Sequence, residues 1–177
     1  MAAVITYNTK IQTEVHTKAI EKAIANLVRD IKKACCNTNA PGAMISLVKG
    51  EQERECFHLG ITSQGVTIEA KDELGFIYGI YEISKRILGI QPFWFWNDQV
   101  IEPKESYTVE EEYQSSPYPI RFRGWFINDE VLIQNWTING KKEIAWEMAF
   151  EALLRCGGNM IIPGTDRNAE LHKDLAV

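Results

Sequence analysis

Two stretches of the chain gather side chains suited to one kind of chemistry. In the first, Phe93, Trp94, Phe95 and Trp96 run straight into Asn97 and Asp98, four large rings followed by short polar groups. Ring faces stack on the apolar face of a sugar and carboxylates or amides bond its hydroxyls, so Trp94, Trp96 and Asp98 are candidate carbohydrate contacts. The competing reading is ordinary packing of aromatic residues at a helix end or a domain interface. In the second, Ile120 to Glu130 reads IRFRGWFINDE. Strand alternation puts Arg121, Arg123, Trp125, Ile127 and Asp129 on one side and Phe122, Phe126 and Asn128 on the other. Arg123, Asn128, Asp129 and Glu130 are the candidate polar contacts there. The planar fork of Arg123 matches a carboxylate bidentately, which would suit an acidic sugar. The competing reading makes Arg123 a structural ion pair and Asp129 or Glu130 a loop cap.

The elements that must position these groups are marked locally. Asp72 is a good N-cap, and Gly89 sits where a left-handed residue ends a helix, so a helix is expected between them. Leu74, Ile77, Ile80, Tyr81, Ile83, Ile87 and Leu88 share about half of its wheel, with Glu82, Lys85 and Arg86 opposite. Gly75 and Gly79, one turn apart, form a notch that predicts close approach of another backbone. Upstream, Val4 to Tyr7 reads as a strand. Thr13 to Cys36 reads as an amphipathic helix whose Lys18, Glu21, Lys22, Arg29, Lys32 and Lys33 form a solvated face. Asn37 to Gly42 is a turn and Met44 to Lys49 a strand. Glu55 to Leu59 and Val66 to Ala70 form a strand pair joined by Gly60 to Gly65. Tyr107 to Glu112 is extended. The pattern predicts a small mixed β-sheet packed on two helices.

A boundary is expected between Gln114 and Pro119, where SSPYP supplies small polar residues and two prolines. Beyond it, Ile120 to Ile127 reads as a strand, Lys141 to Arg155 as an amphipathic helix and Asn159 to Pro163 as a short apolar strand. A helix-like run starts at Arg167. The expected division is therefore residues 1–114 as an α/β domain and 119–177 as β/α units.

Composition excludes several classes of function. The 177 residues are 45% hydrophobic and 24% charged, with a formal net charge of -5. That charge supplies no basic patch for nucleic acid or an anionic membrane, and no stretch is long and apolar enough to span a bilayer. Cys35, Cys36, Cys56 and Cys156 show no CxxC spacing and read as buried thiols, and His16, His58 and His172 lack ligand spacing. No metal or cofactor is expected. Met1 precedes no basic n-region or apolar core of a signal peptide, so the sequence as it stands reads as cytoplasmic. Removal of a leader from the parent would make it secreted or periplasmic.

The helix motif "G-x-IYG-IYE-S", followed by "LG-x-x-P-x-W-x-W-x-D", resembles the N-terminal domain of glycoside hydrolase family 115, the xylan α-1,2-glucuronidases. It is more loosely similar to the domain preceding the barrel in family 67 α-glucuronidases and family 20 hexosaminidases. The segment IRFRGWFINDE resembles the first strand of their catalytic barrel. The resemblance implies an accessory domain followed by an incomplete β/α barrel, since eight units and about 250 residues make a whole one. It implies that Arg123 points into the barrel toward sugar hydroxyls and that Asn128 to Glu130 lie at its C-terminal face. The catalytic carboxylates would come from later strands, leaving this stretch inactive alone. The implied partner is a polysaccharide or oligosaccharide. A binding or assembly module, pairing copies through exposed strand edges, and a hexosaminidase-type hydrolase are the alternatives.

Overall fold

Thr17 and Asp72 start the two helices that organise the N-terminal half. The Thr17 hydroxyl accepts from the Ile20 N–H and the Asp72 carboxylate from the Gly75 N–H, each filling one of the donors a first turn leaves open. In the computed structural model, which describes residues 1–127, 133 and 135–162, the chain divides into two units, Met1–Pro119 and Ile120–Val177.

The first unit holds β1 (Ala3–Ile5), β2 (Lys10–Thr13), α1 (Lys18–Ala34), β3 (Met44–Lys49), β4 (Phe57–Ile61), β5 (Gly65–Ala70), α2 (Glu73–Arg86), β6 (Tyr107–Val109) and β7 (Tyr113–Gln114). Five of these strands form a mixed sheet in the order β2-β3-β5-β4-β7, parallel from β2 to β5 and antiparallel from β5 to β7. β1 pairs antiparallel with β6 in a separate ribbon. Alternation along the sheet buries Ile45 and Leu47, Phe57 and Leu59, and Val66, Ile68 and Ala70. Val48, His58, Glu69 and Gln114, side by side in the register, stand on the opposite face.

The expected mixed sheet on helices is what the chain forms, with adjustments. β2 was not expected and runs up to Thr13, where the helix was expected to start, and α1 begins at Lys18. Gly60 is inside β4, so the turn is only Thr62 to Gly65, closed by Thr62 donating its N–H to the Gly65 carbonyl at 2.8 Å. Rather than presenting half a wheel to solvent, α2 buries every residue from Gly75 to Tyr81 and then Ile83 and Ser84. It lies between the sheet and α1, and fully burying Phe76, Ile77, Ile80 and Ile83 stabilises the fold by roughly 1.5–3 kcal/mol each. The glycine notch is real: a Cβ on Gly75 would lie 2.5 Å from the Cys56 carbonyl oxygen, and one on Gly79 2.5 Å from Ile68 Cγ2. Gly89 is left-handed (φ 73°), as a helix terminator there requires. Of the cysteines, Cys35 and Cys56 are buried, but Cys36 and Cys156 are exposed, contrary to the expectation of burial for all of them.

The second unit contains β8 (Gly124–Phe126), α3 (Glu143–Arg155) and β9 (Met160–Ile162), with β8 parallel to β9. This is one strand-helix-strand unit. β8 is shorter than the strand expected from Ile120 to Ile127, and Phe122 and Phe126 are 60% and 43% exposed. The expected helix from Arg167 lies outside the described residues.

Candidate functional site

The aromatic turn is held by its own backbone. Asn97 donates to the Phe93 carbonyl and Gln99 to that of Trp94, both at 2.9 Å, while the Gln99 side chain ties Gly89 to Gln91. Asp98 sits at φ 47°, a conformation a short polar residue tolerates. Phe95 meets Trp94 and Trp96 edge to face, and the three rings are half-buried while Asn97 and Asp98 are exposed. The Trp94 ring is already engaged. Arg29 and Lys33, one turn apart on α1, place their cations 4.8 and 4.5 Å from its centre. Each such contact is worth about 0.5–1 kcal/mol at a partly exposed site. Trp96 is half-buried against Phe95, and Asp98 is exposed.

Arg29 reaches further inward. Its Nε and Nη2 donate to Asp30 Oδ1 at 3.0 and 2.8 Å, and Asp30 Oδ2 accepts from Ser84 of α2. Beside them Asn26 donates to the Tyr81 hydroxyl at 2.9 Å and accepts from Arg29 Nη1. This polar core fixes α1 on α2, and through Arg29 it carries the position of Trp94. Sequence reasoning missed it by assigning Arg29 to a solvated face. The available signal was Asp30 sitting between Leu27 and Ile31 on the apolar stripe, where an unpaired carboxylate would be costly.

In the second unit Arg123 is a clasp at the entry to β8. Its Nε donates to the Gly157 carbonyl at 2.7 Å and its Nη1 to that of Ile120 at 2.8 Å. Its backbone N–H donates to Asn159 Oδ1, and its carbonyl accepts from the Asn159 and Met160 N–H groups. Asn159 Nδ2 returns the bond to the Arg121 carbonyl at 2.8 Å. Gly124 follows because a Cβ there would lie 1.7 Å from the Met160 carbonyl oxygen. Asn159, which sequence reasoning did not single out, is therefore the second half of the clasp. Asn128, Asp129 and Glu130 lie outside the described residues. The candidates fall in two separate units.

A cleft of about 430 Å³ in the first unit lies between Leu59, Val66, Arg86, Val109, Glu111 and Tyr113, none of them in the aromatic turn. There the Arg86 guanidinium lies 3.7 Å over the Tyr113 ring and pairs with Glu82. Among the described residues, no group of three His, Cys, Asp or Glu side chains is placed to hold a metal ion, and no helix is long and apolar enough to cross a membrane.

The strand, helix and strand of the second unit fall inside a stretch, residues 115–176, that matches the profile of glycosyl hydrolase family 115. Over that stretch the chain is similar to family 115. No curated protein sequence matches it. Among solved structures, the chain is similar to a family 115 4-O-methyl-α-glucuronidase with specificity for decorated arabinogalactans, at 21% identity and a TM-score of 0.74. That match covers 92% of this chain and 26% of the other, so the chain spans about a quarter of that relative's length. It is also similar to a family 20 exo-β-N-acetylglucosaminidase from Vibrio harveyi, at 12% identity, a TM-score of 0.59, and 92% and 23% coverage of the two chains. A chitobiase from Flavobacterium johnsoniae follows at 13% identity, a TM-score of 0.56, and 92% and 24% coverage.

Proposed function

We propose that this chain is the front part of a family 115 α-glucuronidase acting on glucuronic acid side chains of a plant polysaccharide such as xylan, and that it does not cleave the bond alone. The observation that carries the reading is the family match over residues 115–176, laid on a fold shared with an α-glucuronidase across 92% of the chain. Glycoside hydrolysis needs two carboxyl groups flanking the scissile bond, either roughly 5–5.5 Å apart for covalent attack or farther apart to admit water. Asp129 and Glu130 come after β8 in the sequence, and barrel enzymes build their sites from the segments that follow their strands. They are assigned to substrate contact together with Asn128, and the catalytic pair to strands beyond β9. Arg123 is assigned chiefly to holding β8 against β9, because main-chain carbonyls engage both its Nε and its Nη1. In the first unit Trp96 and Asp98 are assigned to glycan contact at the turn. Trp94, covered by Arg29 and Lys33, is assigned to supporting them.

The test is release of uronic acid from glucuronoxylan and from decorated arabinogalactan by the product of the complete reading frame, with the 177-residue chain assayed in parallel. Release by the longer product and none by this chain is expected. Hydrolysis of N-acetylhexosaminides instead would move the protein to the hexosaminidase side of the fold, and a reading frame without further β/α units would end the enzyme reading. A second reading, an assembly module, draws on the exposed Phe122, Phe126 and Ile162 around the short β8–β9 ribbon. It predicts dimers or larger species of the isolated chain in light scattering, and a clean monomer would count against it.

A further inference from the structure

His58 stands on the open face of the five-stranded sheet with a carboxylate on each side. Its Nδ1 lies 3.8 Å from Glu69 Oε2 on β5, and its Nε2 lies 3.7 Å from Glu112 Oε2, just ahead of β7. The imidazole is about one-quarter exposed, against 38% for Glu69 and 58% for Glu112. Gln114 is the register partner of His58 on β7, and Gly60, one pleat along β4, leaves room over the ring. The connection between β3 and β4 contributes Gln52, whose amide donates to Glu69 Oε2 at 3.4 Å. Among the described residues, the ionisable groups paired with the ring are those two glutamates.

β7 needs what this arrangement can supply. It is a two-residue edge strand paired only to β4, and it leads directly into the Ser115–Pro119 connector at the end of the first unit. Few backbone bonds hold it: Ser115 donates its N–H to the Phe57 carbonyl at 3.0 Å and accepts from the Phe57 N–H through its hydroxyl. Glu112 adds one more by accepting from the Ile61 N–H.

We propose that Glu69, His58 and Glu112 form a proton-controlled latch on β7. Histidine is the side chain that ordinarily changes charge between pH 5 and 8. With the imidazolium present, one cation joins two carboxylates and pins the start of β7 to β4 and β5. With the neutral ring, those pairings are lost and the two carboxylates face each other across an uncharged group. The edge strand, and with it the root of the connector, then keeps its backbone bonds, the Arg86 guanidinium and Phe57 ring on Tyr113 and the Gln114 amide on the Phe57 carbonyl, but loses the charge pairing. Acid conditions therefore tighten this edge of the sheet and alkaline conditions loosen it.

The experiment is amide hydrogen exchange of the whole 177-residue chain at pH 5.5 and pH 8, corrected for intrinsic exchange and read at Ser115. The wild type should lose about threefold or more in protection at the higher pH, the scale of one or two partly exposed ion pairs. Glu112→Gln keeps an oxygen for the Ile61 N–H and removes the charge, and on a largely exposed side chain it leaves the fold intact. It should abolish most of the pH dependence, as should His58→Gln, and Glu69→Gln should reduce it. Protection at Ser115 that is equal at the two pH values in the wild type, or a pH dependence that survives unchanged in Glu112→Gln, would overturn the latch.

Discussion

Ser84 on α2 donates its hydroxyl to the fully buried carboxylate of Asp30 on α1 at 2.9 Å, so a charge in the helix interface is held from both helices. Arg29, 28% exposed, completes the set from the solvent side. A buried anion is stable only while its hydrogen bonds persist, because low dielectric leaves each lost donor uncompensated. Ser84→Ala should therefore cost about 2 kcal/mol, more than its few lost atoms would suggest. Urea denaturation of the whole chain measures this, and an unchanged midpoint would mean that Asp30 needs no donor from α2.

Gly75 and Gly89 are both glycines near the ends of α2, but for different reasons. At Gly75 an added Cβ meets the Cys56 carbonyl oxygen at 2.5 Å, whereas at Gly89 it meets nothing within 4 Å and the constraint is φ 73°. Gly75→Ala gains about 1 kcal/mol of helix propensity and loses about 1–3 kcal/mol to overpacking, for a net loss. Gly89→Ala should lose about 1 kcal/mol through backbone strain alone. The denaturation midpoints of the two variants decide this, and a Gly75→Ala protein more stable than wild type would remove the close-approach argument.

What was legible in the sequence was what local chemistry decides. Asp72 caps and Gly89 terminates wherever the rest of the chain goes, and alternation marked β3 and β5 because one face of each is buried. β2 and β7 were not legible. Lys-Ile-Gln-Thr and Tyr-Gln carry no strand pattern of their own, and pairing with β3 and β4 makes them strands. The same holds for the site. Phe93 to Asp98 announced an aromatic turn, but the cations over Trp94 come from α1, a partner no local reading supplies. At Arg123 the residue type suggested ligand recognition, while carbonyls of Gly157 and Ile120 show what the fork is bonded to.

Arg123 and Asn159 close the entry to β8 and β9 from opposite sides, so their contributions should be coupled. Arg123→Ala and Asn159→Ala should each destabilise the chain, and the double variant should fall short of the sum by about 0.5–3 kcal/mol. Arg123→Lys should not rescue, since an ammonium lacks the fork that reaches two carbonyls at once. Additive single losses in urea denaturation would show that the two residues act independently, and full rescue by lysine would point to charge instead of geometry.

The thiols give a prediction with a pH axis. Burial first, and Cys36 beside it second, push the Cys35 thiol up to about 11. In the unfolded chain a cysteine ionises near roughly 8.5, so as pH rises the unfolded state gives up this proton first. The stabilisation due to Cys35 is thus complete below that value and is withdrawn progressively as pH climbs to about 11. Cys35→Ala should flatten the alkaline fall of the melting temperature in this window, even if it lowers the curve as a whole by leaving a cavity. At pH 8 a disulfide reagent should react rapidly with the exposed Cys36 and Cys156 and slowly with the buried Cys35 and Cys56. Identical alkaline slopes in wild type and Cys35→Ala would show that this thiol is not the group whose ionisation unfolds the chain, whereas four equally fast thiols would contradict the burial of α1's last turn itself.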